Sequence, residues 1–155
     1  MIMKIFCSQK RVLISSLAMI GAVGIVAGCT SMSGSMSDAM YSQTVTLSGA
    51  NEVPAVTTSA TGTATVTIKP DHSVSVKESV TGMTATASHI HQGAAGANGP
   101  VIVPFTKTAD NTFVAPDGAK LTDAQYEAFK AGNLYVNVHS AANPGGEIRA
   151  QLKPK

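Results

Sequence analysis

Residues 134–152 read LYVNVHSAANPGGEIRAQL, with strict alternation of apolar and polar residues on both sides of Asn143-Pro144-Gly145-Gly146. Successive side chains of a strand point to opposite faces, so Leu134, Val136 and Val138 share one face while Tyr135, Asn137 and His139 share the other. On the return arm Ile148, Ala150 and Leu152 make the apolar set, and Glu147, Arg149 and Gln151 the polar one. The segment is therefore predicted to be a β-hairpin with one face in a core. If Val138 pairs with Ile148, His139 falls opposite Glu147 and Asn137 opposite Arg149. A carboxylate in that place would fix the imidazole tautomer. Arg149 is the only arginine after Arg11, and its planar fork suits a bidentate grip on Glu147 or another acceptor. An exposed ion pair contributes only about 0–1 kcal/mol, so the polar row is expected to be partly buried or functional.

The same period of two recurs upstream in QTVTLSG, GTATVTIKP, HSVSVKESV, MTATASHIH, PVIVPF and NTFVAP, each bounded by Gly, Pro, Asn or Asp. Seven or eight short β-branched strands predict an all-β fold, an immunoglobulin-like or Greek-key antiparallel β-sandwich or barrel. One short helix interrupts them. In LTDAQYEAFKAGN, Thr122 or Asp123 can cap, Tyr126 and Phe129 form an i,i+3 apolar pair, and Gly132 with Asn133 ends the turn. The helix is expected to plug one end of the fold.

The beginning of the chain has a different character. Lys4, Lys10 and Arg11 precede the uncharged run VLISSLAMIGAVGIVAG, which has the regions of a secretory signal and is short for a spanning helix. The run ends in VAGC, which resembles the lipobox of bacterial lipoproteins and makes Cys29 the expected site of lipidation. Residues 1–28 are then a lipoprotein signal peptide, and 29–42, rich in Ser, Gly, Ala and Met, a flexible tether. Residues 43–155 remain for one domain with a real core. Met32, Met36 and Met40 recur at a spacing that soft thioether chemistry would allow for Cu(I), although such tethers are common without metal.

Of 11 Lys+Arg and 9 Asp+Glu, three basic residues belong to the leader, so the basic excess of the whole chain does not extend to the domain. Nucleic acid is not an expected partner. With Cys7 and Cys29 accounted for, no thiol is left for a disulfide or a thiolate site.

Three separated motifs, LSGANEVPAV, HIHQGAAGANGPV and VNVHSAANPGGEIRAQL, occur in an order that resembles the chordin-like (CHRD) domain family over roughly residues 43–153. The matching positions are Glu52 and Pro54; His89, His91, Gly93, Gly96, Gly99 and Pro100; and Asn137, His139, Asn143, Pro144, Gly146, Glu147, Arg149 and Gln151. Ala150 stands where the family commonly has glycine. The resemblance implies a β-sandwich or barrel of the kind found in secreted growth-factor-binding proteins and in exported bacterial proteins. It implies no defined catalytic activity.

His89 and His91, at i and i+2, would present two imidazoles on one side of a strand. With His139 they number enough for a single Zn(II) or Cu site, provided the strand ending at His91 lies near the strand ending at His139, so that both glycine-rich ends meet at one pole of the fold. The other reading is a satisfied polar network, in which the histidines together with Asn137, Glu147 and Arg149 hold the loop 92–100 in place. HIH on a strand is also similar to the opening copper-ligand pair of Cu/Zn superoxide dismutase. A dinuclear centre of that type needs more histidines than the four present here, one of which, His72, sits in the turn KPDHS. The loop QGAAGANGPV lacks the Lys or Ser of a phosphate-binding loop, so its glycines are read as turn residues.

No Gly-x-Ser-x-Gly occurs, no cysteine is left for a Cys-His pair, and Asp117 and Asp123 are unmarked as a catalytic carboxylate pair. The expectation is a non-catalytic binding or structural module on a bacterial cell-envelope lipoprotein, on the outer-membrane or periplasmic side. Its partners would be the membrane, through the N-terminal lipid, and an envelope or extracellular protein. A single-site copper or zinc protein is the alternative, and a dismutase-like redox enzyme the weaker one.

Overall fold

Among the described residues there are nine strands, most of them Val-, Thr- and Ile-rich runs with a period of two: β1 (Tyr41–Ser48), β2 (Thr61–Ile68), β3 (Val74–Thr81), β4 (Ala85–Gln92), β5 (Val101–Pro104), β6 (Thr106–Ala109), β7 (Thr112–Val114), β8 (Leu134–Ser140) and β9 (Ile148–Leu152). The computed structural model describes residues 40–154. The expected signal peptide, Cys29 and the part of the expected tether before Met40 lie outside the described residues.

The strands form one antiparallel sheet in the order β5-β4-β8-β9-β1-β2-β3-β7-β6. Its two ends are consecutive in the chain and are separated only by Phe105. Residues 101–104 pair with β4, residues 106–109 pair with β7, and the Phe105 amide between them donates to the Ser88 carbonyl at 3.0 Å. That hand-off curls the sheet into a nearly closed barrel and leaves little free edge. Of the two architectures expected from the sequence, the barrel is the one found.

Inside it lie Leu47, Ala64, Val66, Ile68, Val76, Val80, Ile90, Val103, Phe113, Val136, Val138, Ile148 and Leu152. Val136, Val138, Ile148 and Leu152 among them belong to the apolar row that alternation assigned to the core in the 134–152 hairpin. Burying each large aliphatic side chain contributes about 1.5–3 kcal/mol.

The helix α1 (Asp123–Lys130) begins at Thr122 in a capping box. The Gln125 amide donates to the Thr122 hydroxyl, and the Gln125 side chain accepts from the Thr122 amide. It ends where Gly132 takes φ 74°, with the Asn133 amide on the Ala128 carbonyl at 2.9 Å. Phe129 is its buried anchor and meets Tyr41 edge-on at 4.7 Å between ring centroids. Among the described residues, no helix is long and apolar enough to cross a membrane.

One strand escaped the sequence pattern. β6, Thr-Lys-Thr-Ala, is exposed throughout, so it carries no apolar face to announce it.

Candidate metal centre

The outward faces of β4 and β8 bring the three expected histidines together. Val138 pairs with Ser88, Asn137 with His89 and Tyr135 with His91, so His139 is a diagonal neighbour of His89. Their side chains meet on the barrel wall rather than at the strand ends. His89 Nδ1 lies 3.1 Å from His139 Nε2. Each of His89, His91 and His139 offers one nitrogen, and those nitrogens all lie within 4.8 Å of one another. His72, by contrast, stacks on Tyr126 at 4.2 Å beside α1.

Backbone carbonyls orient two of the three rings. His91 Nδ1 is 2.9 Å from the Gly99 carbonyl, and His139 Nδ1 is 2.9 Å from the Pro144 carbonyl. A carbonyl only accepts, so both rings carry their proton on Nδ1 and aim an Nε2 lone pair at the cluster. The His91 Nε2 is buried and has no hydrogen-bond partner. Such an orphaned acceptor is costly in a finished network. It is also what a metal ligand looks like before the ion arrives, because ligating histidines ordinarily donate their other N–H to a carbonyl or carboxylate.

Burial, reinforced by the neighbouring His139 and His91, pushes His89 down to about 4. Burial likewise lowers His91 and His139, partly opposed by the Gly99 and Pro144 carbonyls respectively. All three are thus neutral near pH 7, the form that binds metals.

A polar scaffold surrounds the cluster. The Arg149 guanidinium lies flat over the Tyr135 ring, Cζ 3.3 Å from the centroid, and Tyr135 stacks on His91 at 4.8 Å with ring planes 7° apart. Arg149 donates to the Ala97 carbonyl at 2.9 Å, Asn98 Oδ1 at 3.1 Å and the Ala94 carbonyl at 3.3 Å. Gln151 Nε2 holds the Gly93 and Gly132 carbonyls, and the Gly99 amide donates to the Tyr135 hydroxyl at 3.1 Å. The loop 93–99, whose Gly99 carbonyl orients His91, is therefore laced to β8 and β9. Asn137 Nδ2 donates to Glu52 Oε1 at 2.9 Å. Burial raises the Glu52 carboxyl above its ordinary range, against the pull of Asn137 and the Arg149 charge.

The expected pairing of Val138 with Ile148 and of Asn137 with Arg149 is present. Glu147 is different. The ladder stops at Val138 and Ile148, and Gly146 at φ 132° turns the chain, so the Glu147 carboxylate faces Ser140 and Thr58 instead of His139 or Arg149. The Ser140 hydroxyl bond, foremost, holds Glu147 below its ordinary pKa. The role expected of Glu147, orienting His139, falls to the Pro144 carbonyl. Tyr135 and Gln151 were visible as members of the polar row. Asn98 and Thr58 carried no signal, because their contacts depend on how loops fold back over the wall.

The family model of the CHRD domain matches residues 43–152, and the chain belongs to the CHRD domain family, a binding or structural module. No curated protein and no solved structure matches it significantly.

Proposed function

We propose that this CHRD domain binds one transition-metal ion, copper or zinc, through His89, His91 and His139, on a lipoprotein of the bacterial cell envelope. The observation that carries the reading is the convergence of three neutral imidazoles, two of them aimed by carbonyls, around a buried Nε2 with no partner. A metal about 2.0–2.1 Å from each nitrogen separates them by roughly 3.3–3.5 Å, so the cluster closes on an ion with small side-chain movements. The lipoprotein part rests on the VAGC motif at Cys29.

Equilibrium dialysis of the protein against Zn(II) or Cu(II) tests the metal site. One ion per chain is expected, lost in His89→Ala and in His139→Ala. If the parent binds nothing tightly and the variants only melt earlier, the cluster is a structural network that holds loop 93–99. Lipidation is tested by labelling with a radioactive fatty acid, which Cys29→Ala should abolish.

A further inference from the structure

The donor set has a composition that distinguishes among metals. It consists of three neutral nitrogens, and among the described residues no carboxylate or thiolate joins the group. The Glu52 carboxylate is engaged by Asn137 and faces the positive charge of Arg149. His91 is buried with 8% of its surface exposed, while His89 and His139 are half-buried, so the cluster has one closed side and one side toward solvent.

We propose that the ion this cluster takes is copper, held as Cu(I) by His89 Nδ1, His91 Nε2 and His139 Nε2 alone, with a solvent molecule added on the open side when it is oxidised to Cu(II). The proposal rests on the reading that these histidines bind a metal at all.

Two physical arguments favour copper. The cost of moving an ion out of water rises with the square of its charge, and a site without a counter-charge resists a dication far more than a monocation. Cu(I) is the monovalent ion among the metals that imidazole suits. Coordination number points the same way. Zn(II) bound to three imidazoles completes its tetrahedron only by keeping a solvent ligand, whereas three nitrogens alone satisfy Cu(I). Around an ion at 2.0 Å the His89 Nδ1 to His139 Nε2 separation widens from 3.1 Å to roughly 3.5 Å as His89 shifts its proton from Nδ1 to Nε2, and the other separations, all within 4.8 Å, close to the same value.

Oxidation needs no change in the protein's covalent structure. One electron leaves Cu(I) for a one-electron oxidant such as ferricyanide, which becomes ferrocyanide. No proton moves, and water adds to Cu(II) by a dative bond.

The test uses the full chain under anaerobic conditions, titrated with Cu(I) against a chromophoric Cu(I) chelator and separately with Zn(II) against a zinc indicator. The expected result is one Cu(I) per chain, bound tighter than Zn(II) by about 100-fold or more. Ferricyanide should then produce a Cu(II) electron paramagnetic resonance spectrum with nitrogen hyperfine structure that shifts when azide replaces the solvent ligand. Zn(II) bound as tightly as Cu(I) would overturn the copper assignment and leave the metal reading intact. Binding of neither ion would overturn both. The comparison is made within the parent protein, so it does not depend on whether histidine variants fold, and His72→Ala should keep the parent stoichiometry.

Discussion

Arg149 and Tyr135 form the hinge between the barrel and its site: the guanidinium sits 3.3 Å above the ring, on neighbouring strands, with 2% of each residue exposed. From that position Arg149 reaches two carbonyls and one side-chain amide of the loop 93–99. A buried cation so placed is stabilised by every acceptor it satisfies, and each acceptor is stranded if it leaves. Arg149→Lys keeps the charge but loses the planar fork and the flat stack. It is expected to cost about 2 kcal/mol, and Arg149→Ala about 3–5 kcal/mol, in urea denaturation. The loop should also become the first site of limited proteolysis, and metal affinity should fall with it, because the Gly99 carbonyl that aims His91 is no longer held.

Two glycines of that same loop separate steric need from conformational need. A Cβ on Gly99 would lie 1.7 Å from the Gln92 carbonyl oxygen, a backbone atom with nowhere to go. Gly96 has φ 79° but open space around the position where a Cβ would sit. Gly99→Ala is therefore expected to cost more than about 3 kcal/mol and to displace the acceptor of His91. Gly96→Ala should cost about 1 kcal/mol, the penalty of a left-handed backbone for an L-residue. Equal melting temperatures for the two variants would contradict this account.

Much of this was legible before any coordinates, and the reason is periodicity. The row 134–152 alternates strictly, so both faces of β8 and β9 followed from counting by two, and the Thr122 and Gly132 ends of the helix followed from capping chemistry. The meeting of His139 with His89 and His91 was not legible in the same way. It depends on β4 lying beside β8, a pairing between strands about fifty positions apart, and no local pattern encodes it. Glu147 was misplaced because alternation was extended one residue past the end of the ladder. Glu78 shows the converse, a charged residue at an apolar position of Val74-x-Val76-x-Glu78-x-Val80, where the pattern itself marks a carboxyl pointing into the barrel.

Glu78 gives a pH dependence of definite sign. It is 2% exposed, neither carboxylate oxygen has a hydrogen-bond partner, and burial raises it from 4.5 to about 7. Between those values the folded chain keeps a proton that the unfolded chain has lost, so stability falls as pH rises from about 4.5 to 7 and stays at the lower level above. The loss attached to this one group is about 3 kcal/mol. In metal-free protein, urea midpoints measured across that range should decline less in Glu78→Gln than in the parent. An identical slope in the two proteins would mean that the Glu78 carboxylate is solvated by water inside the barrel.

Metal binding should be visible as stability, because an ion that binds only the folded arrangement shifts unfolding by mass action. At free metal about 100 times the dissociation constant the gain is about 2.7 kcal/mol. The parent should melt higher with added Zn(II) or Cu(II) and return to its starting temperature on chelation. His89→Ala, His91→Ala and His139→Ala should show no rise. They should also differ from one another without metal. His91 is buried between the Tyr135 ring and the Gly99 carbonyl, so its loss removes a stack and strands an acceptor. His139 is half-exposed and loses the bonds to the Pro144 carbonyl and to His89, both on the solvent side of the cluster. His91→Ala is thus expected to be less stable than His139→Ala by about 1–2 kcal/mol, while both are equally silent to metal. That combination, unequal stability with equal loss of the metal response, is not produced by a cluster whose only task is to hold the loop, and a metal-dependent rise surviving in any of the three would rule out the assigned ligand set.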